Sequence, residues 1–123
     1  MPDLKAIFAQ IDAMEDEIVA LEQDLVRIES VNTGTMPTGD ETPVAEYVRD
    51  FLAVDGIKSE ILSRVPERGN IIARIEGENT DARLMFMSHT DVVPTEEVEK
   101  WTYPPFSVFF ASPSRRRSSV GTV

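Results

Sequence analysis

Few residues of this chain have side chains and spacing suited to chemistry, and the pair that stands out is His89 and Asp91. They end the stretch Arg83-Leu84-Met85-Phe86-Met87-Ser88-His89-Thr90-Asp91-Val92-Val93-Pro94, and His89 is the only histidine in the sequence. In an extended backbone, residues two apart share a side. His89 and Asp91 would then face one way and Thr90 the other. An imidazole beside a carboxylate suits metal ligation: one ring nitrogen faces the ion, while the other donates its proton to the carboxylate, which sets the tautomer. The apolar run Leu84 to Met87, bounded by charge and turn formers, predicts a short buried strand. His89 would sit at its end, where ligands gather in open α/β sheets. Taken alone the triplet is a weak signal, because a lone histidine at a strand end is more often an ordinary surface or core residue.

The longer string carries more. Ser88-His89-Thr90-Asp91-Val92-Val93-Pro94, followed by an acidic spacer and Trp101-Thr102-Tyr103-Pro104-Pro105-Phe106, resembles the first metal-site segment of the co-catalytic zinc metallopeptidase family that includes acetylornithine deacetylase, succinyl-diaminopimelate desuccinylase and aminoacylase. Leu25-Val26-Arg27-Ile28-Glu29-Ser30-Val31-Asn32 is similar to the end of that family's opening helix. The resemblance implies that His89 binds one zinc of a pair and that Asp91 is the catalytic-site carboxylate orienting it. It also implies hydrolysis of an amide bond in an N-acyl amino acid or small peptide. Cobalt or manganese would suit the same nitrogen and oxygen ligands, so zinc follows from the family and not from ligand softness.

Length and composition bound the rest. A chain of 123 residues with 41% hydrophobic residues makes one domain at most, with a modest core. The absence of cysteine excludes disulfides and thiolate metal sites. The opening Met1-Pro2-Asp3-Leu4-Lys5 has no basic region followed by an apolar core, and no apolar run reaches membrane-spanning length, so a cytoplasmic protein with no membrane partner is expected. All 22 acidic residues and nine of the twelve Lys/Arg lie in residues 1–106, leaving −13 there and +3 over residues 107–123. So acidic a body disfavours nucleic acid. Nothing in the pattern sets an oligomeric state.

The elements that must position the pair are predicted as follows. Leu4, Ile7, Ile11, Met14, Ile18, Leu21, Leu25 and Ile28 recur at alternating spacings of three and four, which predicts one long amphipathic helix from about Asp3 to Ser30. Acidic flanks at Glu15, Glu17, Glu22, Asp24 and Glu29 argue against a parallel coiled-coil dimer. Residues 32–40 are rich in turn formers and read as a loop. A second helix follows, with Thr42 as cap, Pro43 in its first turn and Val44, Val48, Phe51 and Leu52 as its apolar face, ending before Asp55-Gly56. Strands are expected around Ile57–Ile61, over Asn70–Ile75 and at the histidine segment. The fold class is therefore α/β, two helices then three strands, the N-terminal part of a zinc-peptidase-like α/β sandwich, truncated. The acidic spacer Thr95–Lys100 reads as a solvated loop, and Trp101, Pro105 and Phe106 as residues that pack it down.

Beyond Phe106 the resemblance stops. The family continues with a Gly-Arg-Gly segment and an Asp-Met-Lys-Gly segment whose aspartate bridges the metals, then paired glutamates, a further carboxylate and a distal histidine. None follows here. Residues 107–123 run instead through Ser, Pro and the basic cluster Arg115-Arg116-Arg117. The expectation is thus a truncated or frame-shifted product: residues 1–106 form the N-terminal portion of a catalytic metallohydrolase domain, and residues 107–123 a divergent, disordered basic tail. Such a chain would be inactive alone, because a water-activating zinc pair needs several ligands and a general base. The alternative is a non-catalytic α/β fragment acting as an interaction module through its N-terminal helix or basic tail.

Overall fold

A computed structural model describes residues 3–36, 38–78, 81 and 83–108. The helices are α1 (Leu4–Ala13), α2 (Glu15–Arg27) and α3 (Thr42–Val54); the strands are β1 (Ser59–Leu62) and β2 (Asn70–Ala73); a short 3-10 turn covers Val98–Lys100. The expected basic tail, from residue 109 onward, lies outside the described residues.

The single long helix expected over Asp3–Ser30 is two helices divided at Met14, where φ is −92° and ψ 5°. The Met14 N–H is shared between Gln10 O at 3.1 Å and Ile11 O at 3.0 Å, and the ladder resumes with Ile18 N–H on Met14 O at 2.9 Å. A single tightened turn of 3-10 character thus separates two α segments without any Pro or Gly. No residue of α1 is buried. The second helix also stops short of Ser30, because Ile28 takes an extended backbone with ψ 105°. That departure sends Ser30, Val31 and Asn32 toward the histidine segment. Within α2, Glu15, Asp16 and Glu17 in the first turn and Arg27 in the last complement the helix dipole.

Helix α3 begins and ends close to expectation, with a different cap. Glu41 occupies the cap position, and the Asp40 carboxylate accepts the Thr42 N–H at 3.0 Å. At the other end Gly56, at φ +73°, donates its N–H to Ala53 O at 3.0 Å while Ile57 N–H reaches Leu52 O at 3.1 Å. This pairing is the Schellman arrangement, which needs a left-handed residue and so selects glycine. Tyr47 OH donates to Asp24 Oδ2 at 2.8 Å, fastening α3 to α2. Strands β1 and β2 pair antiparallel from Ser59↔Ala73 to Leu62↔Asn70, and α3 packs on both. Among the described residues, the buried apolar side chains are those of Val44 and Ala45 of α3.

Among the described residues the sheet has two strands and not the three expected. Leu84, Met85, Phe86 and Met87 enter no ladder among the described residues, and their exposures run from 75% to 88%. A strand apolar on both faces needs a neighbour on each edge and a layer on each side. The β1–β2 pair has α3 as a layer on one side, but residues 84–87 do not join it among the described residues. No described helix is long and apolar enough to cross a membrane.

If Val44 and Ala45 are the structural centre, Ala45→Leu should lower unfolding free energy in urea by about 1–3 kcal/mol through overpacking. Phe8→Ser, on the exposed α1, should change it by less than about 0.5 kcal/mol. Equal losses for the two would contradict this placement of the core.

Candidate metal-ligand site

The histidine segment is attached to the body at its downstream end. Val31 and Val92 form a parallel bridge, in which Val92 N–H donates to Ser30 O at 3.0 Å and Asn32 N–H to Val92 O at 2.7 Å. Beside it, Ser30 Oγ–H donates to Thr90 O at 2.6 Å. Ser30 is buried, so this hydroxyl bond is shielded. The loop after Asn32 folds back on the same strand: Gly39, at φ +35°, lies so close that an added Cβ would stand 2.8 Å from Val31 O. Glycine is required there by both conformation and space.

His89 and Asp91 come together as their spacing implied. His89 Nδ1 lies 2.8 Å from the Asp91 carbonyl oxygen and 3.1 Å from Asp91 Oδ1. Both are acceptors, so Nδ1 carries the proton, and the lone pair of the neutral ring resides on Nε2. Nε2 makes no hydrogen bond among the described residues, and the His89 side chain is 84% exposed against 31% for Asp91. Asp91 Oδ2 in turn accepts from Asn32 Nδ2 at 2.7 Å, with Arg68 Nη2 at 4.0 Å. The Asn32 hydrogen bond holds the Asp91 carboxyl below its ordinary range; partial burial opposes this, and the His89 hydrogen bond adds to it.

Arg68 serves a second carboxylate. Its Nε approaches Glu41 Oε2 at 2.6 Å, and the Glu41 side chain is only 6% exposed. Neither Glu41 oxygen has an aligned hydrogen bond, so the contact is charge pairing at short range. Glu41 N–H also donates to Glu67 O at 2.9 Å, which ties the α3 start to the turn carrying Arg68.

The donor set fits a metal in one respect. Nε2 of His89 is an available nitrogen ligand, whereas both Asp91 oxygens are already engaged. No three of His, Cys, Asp and Glu converge among the described residues. A zinc site needs three or four protein ligands, and His89 supplies one. The acidic spacer is exposed, with Glu97 paired to Lys100. Trp101 is half-exposed, its Nε1–H donating to Glu96 O at 3.3 Å, while Pro105 and Phe106 are half-buried. Residues 101–105, 107 and 108 wall an open groove of about 700 Å³ against α2, closed at one point by Gln23 Nε2–H on Val108 O at 3.2 Å.

Relatives supply the rest of the frame. A probable succinyl-diaminopimelate desuccinylase of Staphylococcus aureus is 35% identical over 94 residues, 76% of this chain and 22% of that protein. One from Staphylococcus epidermidis is 32% identical over 94 residues, 76% of this chain and 21% of that protein. The succinyl-diaminopimelate desuccinylase of Hydrogenovibrio crunogenus is 37% identical over 91 residues, 74% of this chain and 22% of that protein. The chain is similar to succinyl-diaminopimelate desuccinylases. It spans about a fifth of the length of the curated relatives it matches. No model of a known protein family matches it.

Asn32, Ser30, Arg68 and Glu41 were not singled out in the sequence as site residues. Asn32 lies in a turn-rich loop and meets Asp91 across 59 positions, and no local pattern encodes such a contact.

A pH dependence follows from Asp91. Its depressed folded-state pKa makes the ionised form stabilising above the unfolded value near 3.9, and that contribution is lost as pH falls through the lower folded value. Asp91→Asn should therefore be less stable than the parent at pH 6, with the difference shrinking toward pH 3. Urea unfolding at both pH values measures it, and a gap that is constant or widens on acidification would contradict the assignment.

Proposed function

We propose that this chain is the metal-site-bearing N-terminal part of a metal-dependent hydrolase that cleaves amide bonds of N-acyl amino acids, the N-succinyl compounds named by its relatives among them. The observation that carries the reading is the His89–Asp91 pair, with Nδ1 protonated toward Asp91 and Nε2 exposed, in a chain similar to desuccinylases. His89 binds the ion through Nε2. Asp91 holds the ring orientation and the tautomer, and so keeps the lone pair directed outward. When bound, zinc polarises the scissile carbonyl and lowers the pKa of water. The remaining ligands and the base come from segments equivalent to the other four-fifths of the relatives' length.

A second reading is favoured by α1. Leu4, Phe8 and Ile11 are 49% to 63% exposed on a helix with no buried residue, a surface suited to an apolar partner. In that reading the chain is an interaction module and the His89–Asp91 pair has no catalytic part.

A chimera separates them. Residues 1–106 joined to the remainder of the Staphylococcus aureus desuccinylase should hydrolyse N-succinyl-diaminopimelate. In it, His89→Ala should abolish nearly all turnover with the melting temperature kept. Asp91→Asn should reduce metal binding or turnover by roughly 10–100-fold. A folded chimera without activity, or an active and metal-replete His89→Ala variant, would favour the interaction reading.

The 123-residue chain alone should show neither submicromolar zinc binding in calorimetry nor chelator-sensitive turnover of an N-acetyl amino acid. Either one would overturn the view that His89 needs ligands from elsewhere.

A further inference from the structure

The backbone N–H, Oδ1 and Nδ2 of Asn32 are all engaged, and the bond from Nδ2 reaches Asp91. The Asn32 N–H donates to Val92 O at 2.7 Å. Its Oδ1 accepts the Gly34 N–H at 2.9 Å and the Thr38 hydroxyl at 3.1 Å. Two donors on Oδ1 settle which way the amide faces, leaving Nδ2 to point at Asp91 Oδ2, 2.7 Å away. Asp91 is thereby gripped from one side by Asn32, and its other oxygen, Oδ1, receives His89 Nδ1 at 3.1 Å, beside the Asp91 carbonyl oxygen at 2.8 Å.

We propose that Asn32 is a positioning residue: it locks the Asp91 carboxylate, which together with the Asp91 carbonyl keeps the His89 ring in its Nδ1–H tautomer with Nε2 bare. The proposal rests on the reading of His89 as a metal ligand only for its purpose, since the lock itself is a property of the metal-free chain. Asn is suited to this place chemically. Aspartate of the same shape would set two carboxylates face to face, and alanine would leave Oδ2 with Arg68 at 4.0 Å as its nearest cationic neighbour. The turn-rich loop over residues 33–39 acquires a role too, because Gly34 and Thr38 orient the Asn32 amide.

The single histidine makes the test direct, because a ring-nitrogen correlation spectrum of the uniformly ¹⁵N-labelled chain contains one imidazole. At a pH where the ring is neutral, the parent should show Nδ1 protonated and Nε2 bare. Asn32→Ala should admit a measurable share of the Nε2–H tautomer beside the Nδ1–H form that the Asp91 carbonyl still favours, Asp91→Asn should do the same, and the double variant should go no further than Asp91→Asn alone. The Val92 amide, bonded to Ser30 O, should keep its exchange protection in Asn32→Ala, which separates positioning from general loosening. An unchanged tautomer in Asn32→Ala, additive shifts in the double variant, or lost Val92 protection would overturn the proposal. Should Asn32→Ala fail to fold, the Asn32 side-chain amide protons decide the matter: they should move upfield from the parent to Asp91→Asn, and unmoved resonances would refute the bond. Failure of metal binding in the chimera would leave these outcomes standing, so the two readings fail separately.

Discussion

Two backbone hydrogen bonds around the Val31–Val92 bridge fasten the histidine segment to the rest of the molecule, and the site depends on them. Upstream, residues 83–87 have no ladder partner among the described residues. Downstream, the chain continues into an exposed acidic spacer. The parallel bridge brings Ser30 beside Thr90 and Asn32 beside Asp91, so one short pairing serves both as attachment and as the means of aiming a side chain. A backbone pair is suited to this because its geometry tolerates little slip, and a register error of one residue would turn Asp91 to the opposite side.

The same geometry explains why the early departure of the chain from α2 matters. Had the helix continued to Ser30, Val31 would not follow from an already extended turn, and the parallel pairing of residues 30–32 with Val92 would lack the backbone direction it needs. The extended backbone at Ile28 gives up helical hydrogen bonds, and the bridge replaces them. Gly39 then lets the following loop close over Val31, and the charge pair of Arg68 with the nearly buried Glu41 anchors the α3 start beside it. Removing one member of such a pair strands the other without solvation, which is far more costly than the pair is worth.

Much of this architecture was legible in the sequence, for reasons that differ by element. Helix α3 was readable at both ends because Pro43 and Gly56 act locally, through fixed φ and left-handed backbone. The β1–β2 hairpin region showed in the clustering of Ile61, Ile71 and Ile72. The His89–Asp91 contact was readable because a two-residue spacing sets it. The division at Met14 was not, since the apolar period runs through it unbroken and the tightened turn has no residue marker. The unpaired state of Leu84–Met87 was not either. Their pattern predicts a two-sided buried strand, whereas they stand exposed and outside any ladder among the described residues, because a pattern states what a segment requires and not whether the neighbours are there. The long-range partners Asn32 and Arg68 lay beyond reach, because side-chain contacts across tens of residues leave no local trace.

That unmet requirement connects the fold to the chemistry. Covering the side chains of Leu84 to Met87, now 75% or more exposed, would contribute about 1.5–3 kcal/mol each. These residues lead directly into Ser88 and His89, so whatever covers them also stiffens the upstream side of the histidine, which at present is held only from Thr90 onward. A metal ligand must be placed to within a fraction of an ångström, and a lone imidazole on a segment tethered at one end does not meet that standard. The side chains that set the tautomer are already in place on the downstream side. Sheet neighbours for Leu84–Met87 and additional ligands are therefore coupled requirements: the strands that bury the apolar run would also fix His89 in the position where further donors could share an ion with it.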